Sequence, residues 1–140
     1  MNVDVILNGR AATLEGRSDE TLLAALRRHG LRSVRETCGI GVCGACTVLL
    51  DGEPVSGCLT LTAAVAGREI TTVEGLDEAD PVLRAFNEVH AFQCGWCTPG
   101  FVLTAKAMRP DEDIREALGG NLCRCGCYVK IEEAVRACAS

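Results

Sequence analysis

Aromatic residues and histidines are both scarce in this sequence, and each scarcity limits what the protein can be. Aromatic side chains make up only 4% of the 140 residues, although 48% of the residues are hydrophobic. Small domains with few large side chains often need a cofactor to stabilise them. Only two histidines occur, which excludes a histidine-rich metal site. The first ten residues show no basic segment followed by a long apolar run, so we expect neither a signal peptide nor membrane insertion.

Basic residues are also in the minority, whereas cysteine is abundant. The chain has 14 Lys and Arg residues against 19 Asp and Glu residues, which gives a net charge of −5. Nucleic-acid binding needs a clustered basic face, so we expect no nucleic-acid partner. Ten cysteines occur in the 140 residues. Because no export signal is visible, we expect a cytoplasmic protein whose cysteines ligate metal rather than form disulfides.

A glycine-rich segment at residues 37–48, TCGIGVCGACTV, contains three cysteines at the spacing C-x4-C-x2-C. A fourth cysteine follows after eleven residues. This spacing is typical of plant-type [2Fe–2S] clusters, and glycines let the backbone approach the cluster closely. A disulfide framework would need a secreted chain, structural zinc sites usually show paired cysteines, and core cysteines would not alternate with glycines. We therefore predict that one [2Fe–2S] cluster is bound by Cys38, Cys43, Cys46 and Cys58.

Strand and turn signals alternate along the first half of the chain. Asn8-Gly9 and Asp51-Gly52 each predict a type I′ hairpin. Ser18 or Asp19 is a suitable N-cap for a helix that runs to about His29. The remaining periodicity predicts strands at 3–7, 10–14, 47–50, 53–55 and 70–73. We predict an α+β domain with a β-grasp arrangement over residues 1–76.

The second half becomes helical from Asp77 onwards. Asp80-Pro81 and Thr98-Pro99 are helix start signals, and Asp111 is expected to open a third helix around residues 114–118. The last helix is predicted over residues 128–139, with Cys138 on its apolar stripe as a small buried side chain. We therefore predict an all-α domain of four short helices over residues 77–140.

Four further cysteines lie just before two of these predicted helices: Cys94, Cys97, Cys123 and Cys125. If the helices are antiparallel, both loops meet at one end, where helix N-termini favour negatively charged thiolates. On spacing alone, zinc would satisfy four thiolates equally well. The cluster predicted upstream favours a second [2Fe–2S] cluster, because two centres in one chain form an electron path. Cys127 is an alternative ligand, although we favour Cys123 and Cys125.

The segments TCGIGVCGACTV, FQCGWCTPGF and GNLCRCGCYVKI together resemble the small iron–sulfur subunit of the molybdenum hydroxylases, the family of xanthine oxidase, aldehyde oxidase and carbon monoxide dehydrogenase. The resemblance covers nearly the whole chain. It implies a β-grasp ferredoxin domain followed by a four-helix domain, with a [2Fe–2S] cluster on the four predicted cysteines of each. It also implies that Gln93 and Cys125 contact the molybdopterin of a large subunit, and that a medium subunit carries FAD.

The function that this resemblance implies is electron transfer between the molybdopterin and the FAD in a heterotrimer, with further dimerisation left open. Two alternative functions are a freestanding ferredoxin-like electron carrier and a zinc-stabilised interaction module. The chain departs from the family pattern in two places. Gly126 and Cys127 stand where the family usually has threonine and glycine, and the stretch between Cys97 and Cys123 is shorter than usual.

Overall fold

The computed structural model describes residues 1–139, and its first half is built on a five-stranded mixed sheet. The strand order is β2-β1-β5-β3-β4. Strand β1 is parallel to β5, and the other neighbours are antiparallel. The strands are β1 (Asn2–Leu7), β2 (Arg10–Glu15), β3 (Thr47–Leu50), β4 (Glu53–Ser56) and β5 (Glu69–Thr71).

Both predicted hairpin turns are confirmed. In β1–β2, Leu7 pairs with Arg10 across Asn8-Gly9. In β3–β4, Leu50 pairs with Glu53 across the Asp51-Gly52 turn. Both residues of each turn have positive φ, which is the defining feature of a type I′ turn.

Helix α1 (Leu22–Arg28) packs on this sheet and starts later than the sequence predicts. Its N-cap is Thr21, whose hydroxyl accepts the Ala24 N–H at 3.2 Å, rather than Ser18 or Asp19. The core under the helix is entirely aliphatic apart from two cysteines, as the scarcity of aromatic residues requires. Its most buried members are Leu14, Leu22, Leu26, Val34, Val48, Val65 and Ile70.

Strand β5 is shorter than predicted, because an asparagine side chain from the first hairpin ends it. The Asn8 Oδ1 atom accepts the Thr72 N–H at 2.8 Å, and its Nδ2 donates to the Thr72 hydroxyl at 2.9 Å. The backbone then enters a 3-10 turn at Val73–Gly75 instead of continuing to residue 73 as a strand. Two other 3-10 turns, Gly57–Leu59 and Thr62–Val65, were not predicted.

The described part of the second half, residues 77–139, contains four helices: α2 (Pro81–Glu88), α3 (Thr98–Ala107), α4 (Ile114–Ala117) and α5 (Tyr128–Ala139). Asp80 caps α2 as predicted, with its Oδ1 accepting the Val82 N–H at 2.9 Å. Helix α4 is capped by Asp113 rather than opened by Asp111. A second core forms between the helices around Phe86, Phe101, Ile131 and Val135. Within residues 1–139, no helix has the length and apolar character needed to cross a membrane.

Helix α3 joins the two halves, because it contacts β3 as well as α2. Six consecutive residues of this helix, 100–105, are buried. A helix that is apolar on all sides is expected to be enclosed on all sides. The sheet and the helices therefore pack against a common element, which fixes the position of the loops at its ends.

Candidate iron–sulfur sites

The first cysteine loop folds so that backbone N–H groups point at its sulfur atoms. The Cys38 Sγ accepts N–H bonds from Ile40 at 3.5 Å, Val42 at 3.3 Å and Cys43 at 3.4 Å. The Cys43 Sγ accepts the Ala45 N–H at 3.4 Å. These hydrogen bonds between a sulfur and the N–H of a nearby residue need the left-handed backbone that the loop's three glycines adopt. The loop is therefore shaped to surround a negatively charged sulfur-ligated group.

The four cysteines predicted for the first cluster lie together as two pairs. Cys38 is paired with Cys43, whose N–H donates to the Cys38 Sγ at 3.4 Å, and the thiols of Cys58 and Cys43 both add to the effect of burial in raising the pKa of Cys46. The Cys58 N–H donates to the Cys46 Sγ at 3.3 Å. Because a [2Fe–2S] cluster divides four thiolates between two irons, this paired donor set fits the predicted cofactor.

Cys38 and Cys46 differ in how readily their thiols ionise. Backbone N–H donors from Ile40, Cys43 and Val42 lower the pKa of Cys38 to about 6. Burial raises the pKa of Cys46 to about 11. The Cys38 thiol is thus ready to ligate at neutral pH, whereas Cys46 needs the charge of a metal centre to lose its proton.

The second group of cysteines meets between the starts of α3 and α5. Next to burial, the thiols of Cys123 and Cys94 raise the pKa of Cys97, which places both near it. The Cys125 N–H is among the groups that lower the pKa of Cys123. The Cys94 Sγ accepts the Trp96 N–H at 3.4 Å. All four predicted cysteines are therefore brought to one place, and soft thiolates with N–H donors on their sulfurs again fit a [2Fe–2S] cluster.

A fifth cysteine lies in the second group. The Cys127 N–H donates to the Cys123 Sγ at 3.4 Å, and burial together with the Cys123 thiol raises the pKa of Cys127. Burial raises the pKa of Cys97 to about 12, whereas that of Cys123 is lowered because the N–H and thiol donors around it outweigh its burial. Cys138 is separate from this group and is only half-buried, with its Sγ donating to the Val135 carbonyl at 3.3 Å.

Comparison with known protein families gives two matches that together span most of the chain. A "2Fe-2S iron-sulfur cluster binding domain" matches residues 5–76, and a "[2Fe-2S] binding domain" matches residues 72–136. Among curated proteins, the nicotinate dehydrogenase small FeS subunit of Eubacterium barkeri is 43% identical over 97% of this chain and 93% of that protein. The xanthine dehydrogenase iron-sulfur-binding subunit of Escherichia coli O157:H7 is 39% identical over 99% and 94%.

Solved structures give the same result. Quinoline 2-oxidoreductase from Pseudomonas putida 86 aligns with a TM-score of 0.92 and 37% identity, over 99% of this chain and 93% of the matched chain. The chain belongs to the family of iron–sulfur subunits of the molybdenum hydroxylases. It is thus an electron-transfer subunit of an oxidoreductase complex.

Direct hydrogen bonds connect the two cysteine groups of the iron–sulfur subunit. The Leu122 N–H, next to Cys123, donates to the carbonyl oxygen of Cys43 at 2.9 Å. The indole N–H of Trp96 donates to the Thr37 hydroxyl at 2.7 Å. The two sets of thiols therefore belong to one hydrogen-bonded unit.

Gln93 is exposed and directly precedes Cys94, which is also exposed. This places the residue that the family resemblance links to molybdopterin on the open side of the second group.

Sequence reasoning missed two residues that position the second group. The Tyr128 hydroxyl accepts the Cys123 N–H at 2.7 Å. The buried Asn121 donates through its side-chain amide to the Gly44 carbonyl at 3.2 Å. Tyr128 directly follows the cysteine motif and is the only tyrosine in the sequence, so its position could have indicated a role beside the second group. No sequence signal indicates the partner of Asn121, because the contact spans 77 residues.

Proposed function

We propose that this subunit binds two [2Fe–2S] clusters and passes single electrons between the molybdopterin of a large subunit and the FAD of a medium subunit. The first cluster would be held by Cys38, Cys43, Cys46 and Cys58. The second would be held by Cys94, Cys97, Cys123 and Cys125. The observation that carries the proposal is that each group of four thiols converges and receives backbone N–H bonds on its sulfurs.

The same proposal includes a division into two domains. Residues 1–76 would form a plant-type ferredoxin domain of the β-grasp type, and residues 77–140 a helical [2Fe–2S] domain. The mixed sheet with α1 packed on it supports the first assignment. The four helices with a core of their own support the second.

When bound, each cluster would supply a centre that accepts and releases one electron. The residues of the chain hold and tune that centre. Thiolates ligate the iron, and N–H donors on the sulfurs stabilise additional negative charge, which raises the reduction potential. Cys38 accepts three such bonds, whereas the Cys94 sulfur accepts one from Trp96. Unequal hydrogen bonding gives the two sites a means of holding different potentials.

The expected partners follow from the family resemblance, and the exposed edges of the two sites support them. As the resemblance implies, Gln93 and Cys125 would contact molybdopterin, and Gln93 is exposed beside the second group while Cys125 is only partly buried. Two apolar side chains of the first loop, Ile40 and Val42, are 69% and 53% exposed, as expected of a surface that a partner subunit covers. The proposed assembly is a cytoplasmic heterotrimer.

Iron and acid-labile sulfide analysis of the anaerobically purified chain tests the proposal, together with EPR after dithionite reduction. We expect about four irons per chain and two distinguishable S = 1/2 signals. Cys138→Ser is the matched control and should keep all the iron, because Cys138 lies outside both groups. About two irons with one signal would contradict the second site, and a colourless zinc-containing protein would contradict both.

A second measurement separates the subunit from a freestanding carrier. Co-expression with the neighbouring large and medium subunits should give one stable complex in gel filtration. Persistent elution as a 14.8 kDa chain beside those partners would favour the carrier instead.

A further inference from the structure

Cys127 is the cysteine that the proposed ligand sets do not use although it lies inside one of the sites. Its N–H donates to the Cys123 Sγ at 3.4 Å. Cys94 and Cys125 also lie within electrostatic range of the Cys127 thiol. Five thiols therefore occupy a site for which four are sufficient.

The backbone around Cys127 holds this thiol in place. Within the segment, the Gly126 N–H donates to the Cys123 carbonyl at 3.2 Å, which closes a tight turn. The Cys127 carbonyl in turn accepts the Ile131 N–H at 2.9 Å, which ties it to the first turn of α5. The side chain is half-buried and packs against the helical core. Its contact with the site is thus set by the turn and the helix together.

We propose that Cys127 is a reserve ligand of the second site that replaces Cys123. This inference rests on the proposed second cluster. A thiol is the same soft donor as the four others, so iron has no chemical reason to prefer Cys123 beyond its position. The exchange is redox-neutral: one Fe–S bond to Cys123 breaks, one to Cys127 forms, and the thiol proton passes from Cys127 to Cys123.

Contact decides which ligand is replaced. The Cys127 N–H donates directly to the Cys123 Sγ at 3.4 Å, and the turn closed by the Gly126 N–H on the Cys123 carbonyl keeps the two residues adjacent. Next to burial, the Cys123 thiol raises the pKa of Cys97, so Cys123 lies beside both cysteines. Cys127 is therefore placed to complete a pair with Cys97 in the position of Cys123.

Alanine variants of the full chain test the exchange, because alanine offers no ligand atom. We expect Cys123→Ala to keep about four irons, with the EPR signal of the second site shifted and that of the first unchanged. The double variant Cys123→Ala/Cys127→Ala should lose about two irons and the second signal. Cys125→Ala should lose them as a single variant. The first-site signal reports in every variant that the chain is folded.

Two outcomes would overturn the reserve-ligand role. One is a Cys123→Ala variant that loses the second cluster as completely as the double variant does. The other is a Cys125→Ala variant that keeps it. Failure of the proposed function is distinguishable, because the unaltered chain would then hold only about two irons.

A second measurement avoids removing any assigned ligand. With an iron chelator present, Cys127→Ala should lose the second cluster about tenfold faster than the unaltered chain, which is the lower end of what a neighbour of a metal ligand contributes. Cys138→Ala, which alters another cysteine at the far end of α5, should lose it at the unaltered rate. Equal rates for the two variants would contradict the role.

Discussion

The side-chain amide of Asn121 donates to the carbonyl oxygen of Gly44 at 3.2 Å, and this buried bond links the two cysteine loops directly. Asn121 lies two residues before Cys123, and Gly44 lies between Cys43 and Cys46. The same side chain accepts the Thr104 hydroxyl of α3 at 3.0 Å. One amide therefore fixes the distance between the two candidate sites and the helix packed beside them.

Asn121→Ala should lower the stability of the iron-loaded subunit by about 2 kcal/mol, because it removes three buried hydrogen bonds, to Gly44, Thr47 and Thr104, and leaves a small cavity. The melting temperature should fall by about 5 °C, measured by the loss of visible absorbance on heating. Asn87→Ala is the matched control, since Asn87 is exposed on α2 and its loss should change little. Equal melting temperatures for the two variants would show that the amide link contributes nothing.

Gly44→Ala should be more harmful than the same change at Gly52. Both glycines have positive φ, which costs alanine about 1–2 kcal/mol. Around Gly52 the space is open, whereas a Cβ at Gly44 would overlap the Gly120 carbonyl oxygen and the Asn121 amide. We expect Gly52→Ala to keep its full iron content with a modest loss of stability, and Gly44→Ala to be purified with less iron. Similar iron contents for the two variants would mean that the two cysteine loops can move apart without losing iron.

A double-mutant cycle can measure the coupling energy of the hydrogen bond between Trp96 and Thr37. Trp96→Phe and Thr37→Val each remove the 2.7 Å hydrogen bond while keeping much of the side-chain shape. The coupling energy should be about 0.5–1 kcal/mol, because the pair is exposed. Melting of the four iron-loaded proteins gives this value. Additive effects of the two changes would mean that this hydrogen bond contributes no coupling energy. Any stabilisation by Trp96 would then come from its contact with the Arg35 guanidinium.

Local signals predicted much of the fold, and long-range contacts account for the differences. Asn8-Gly9 and Asp51-Gly52 define their hairpins through their own backbone preferences, which is why both turns are confirmed. The start of α1 is different. Thr21 forms a β-bridge with Leu61, and the Leu22 N–H donates to the Thr60 carbonyl at 2.7 Å. A partner about 40 residues away therefore selects the cap, and spacing alone does not show it.

The sites show the same division between local and long-range information. Cysteine spacing indicated which thiols to consider, and the structure places those of each predicted set together. The hydrogen bond from Asn121 to Gly44 depends on how the two halves pack, so the sequence could not indicate it, whereas the Tyr128 contact spans only five residues beside the cysteine motif. The contact between Cys127 and Cys123 lies between these cases. The spacing raised Cys127 as an alternative, but only the fold shows which cysteine it contacts.

Asp80 joins α2 to α3 through a charge pair whose contribution to stability has a defined pH window. Its carboxylate caps α2 and contacts the Lys106 ammonium at 2.5 Å. Burial of Asp80 raises the pKa of this carboxyl, but the hydrogen bond and charge of Lys106 and the Val82 N–H outweigh it and leave the pKa below the ordinary value of 3.8. A depressed pKa adds stability above the pKa of the unfolded chain, and that stability is lost only as the pH falls through the lower, folded value.

Asp80→Asn keeps a residue that caps helices well but removes the charge, so the melting temperature should fall by about 4 °C at pH 7. The difference from the unaltered subunit should stay constant from pH 8 to pH 5, because Asp80 is ionised in both folded and unfolded chains throughout that range. Asp111→Asn, which alters an exposed aspartate, is the control and should change little. A difference that shrinks between pH 8 and pH 6 would show that a group other than Asp80 controls the stability of this contact.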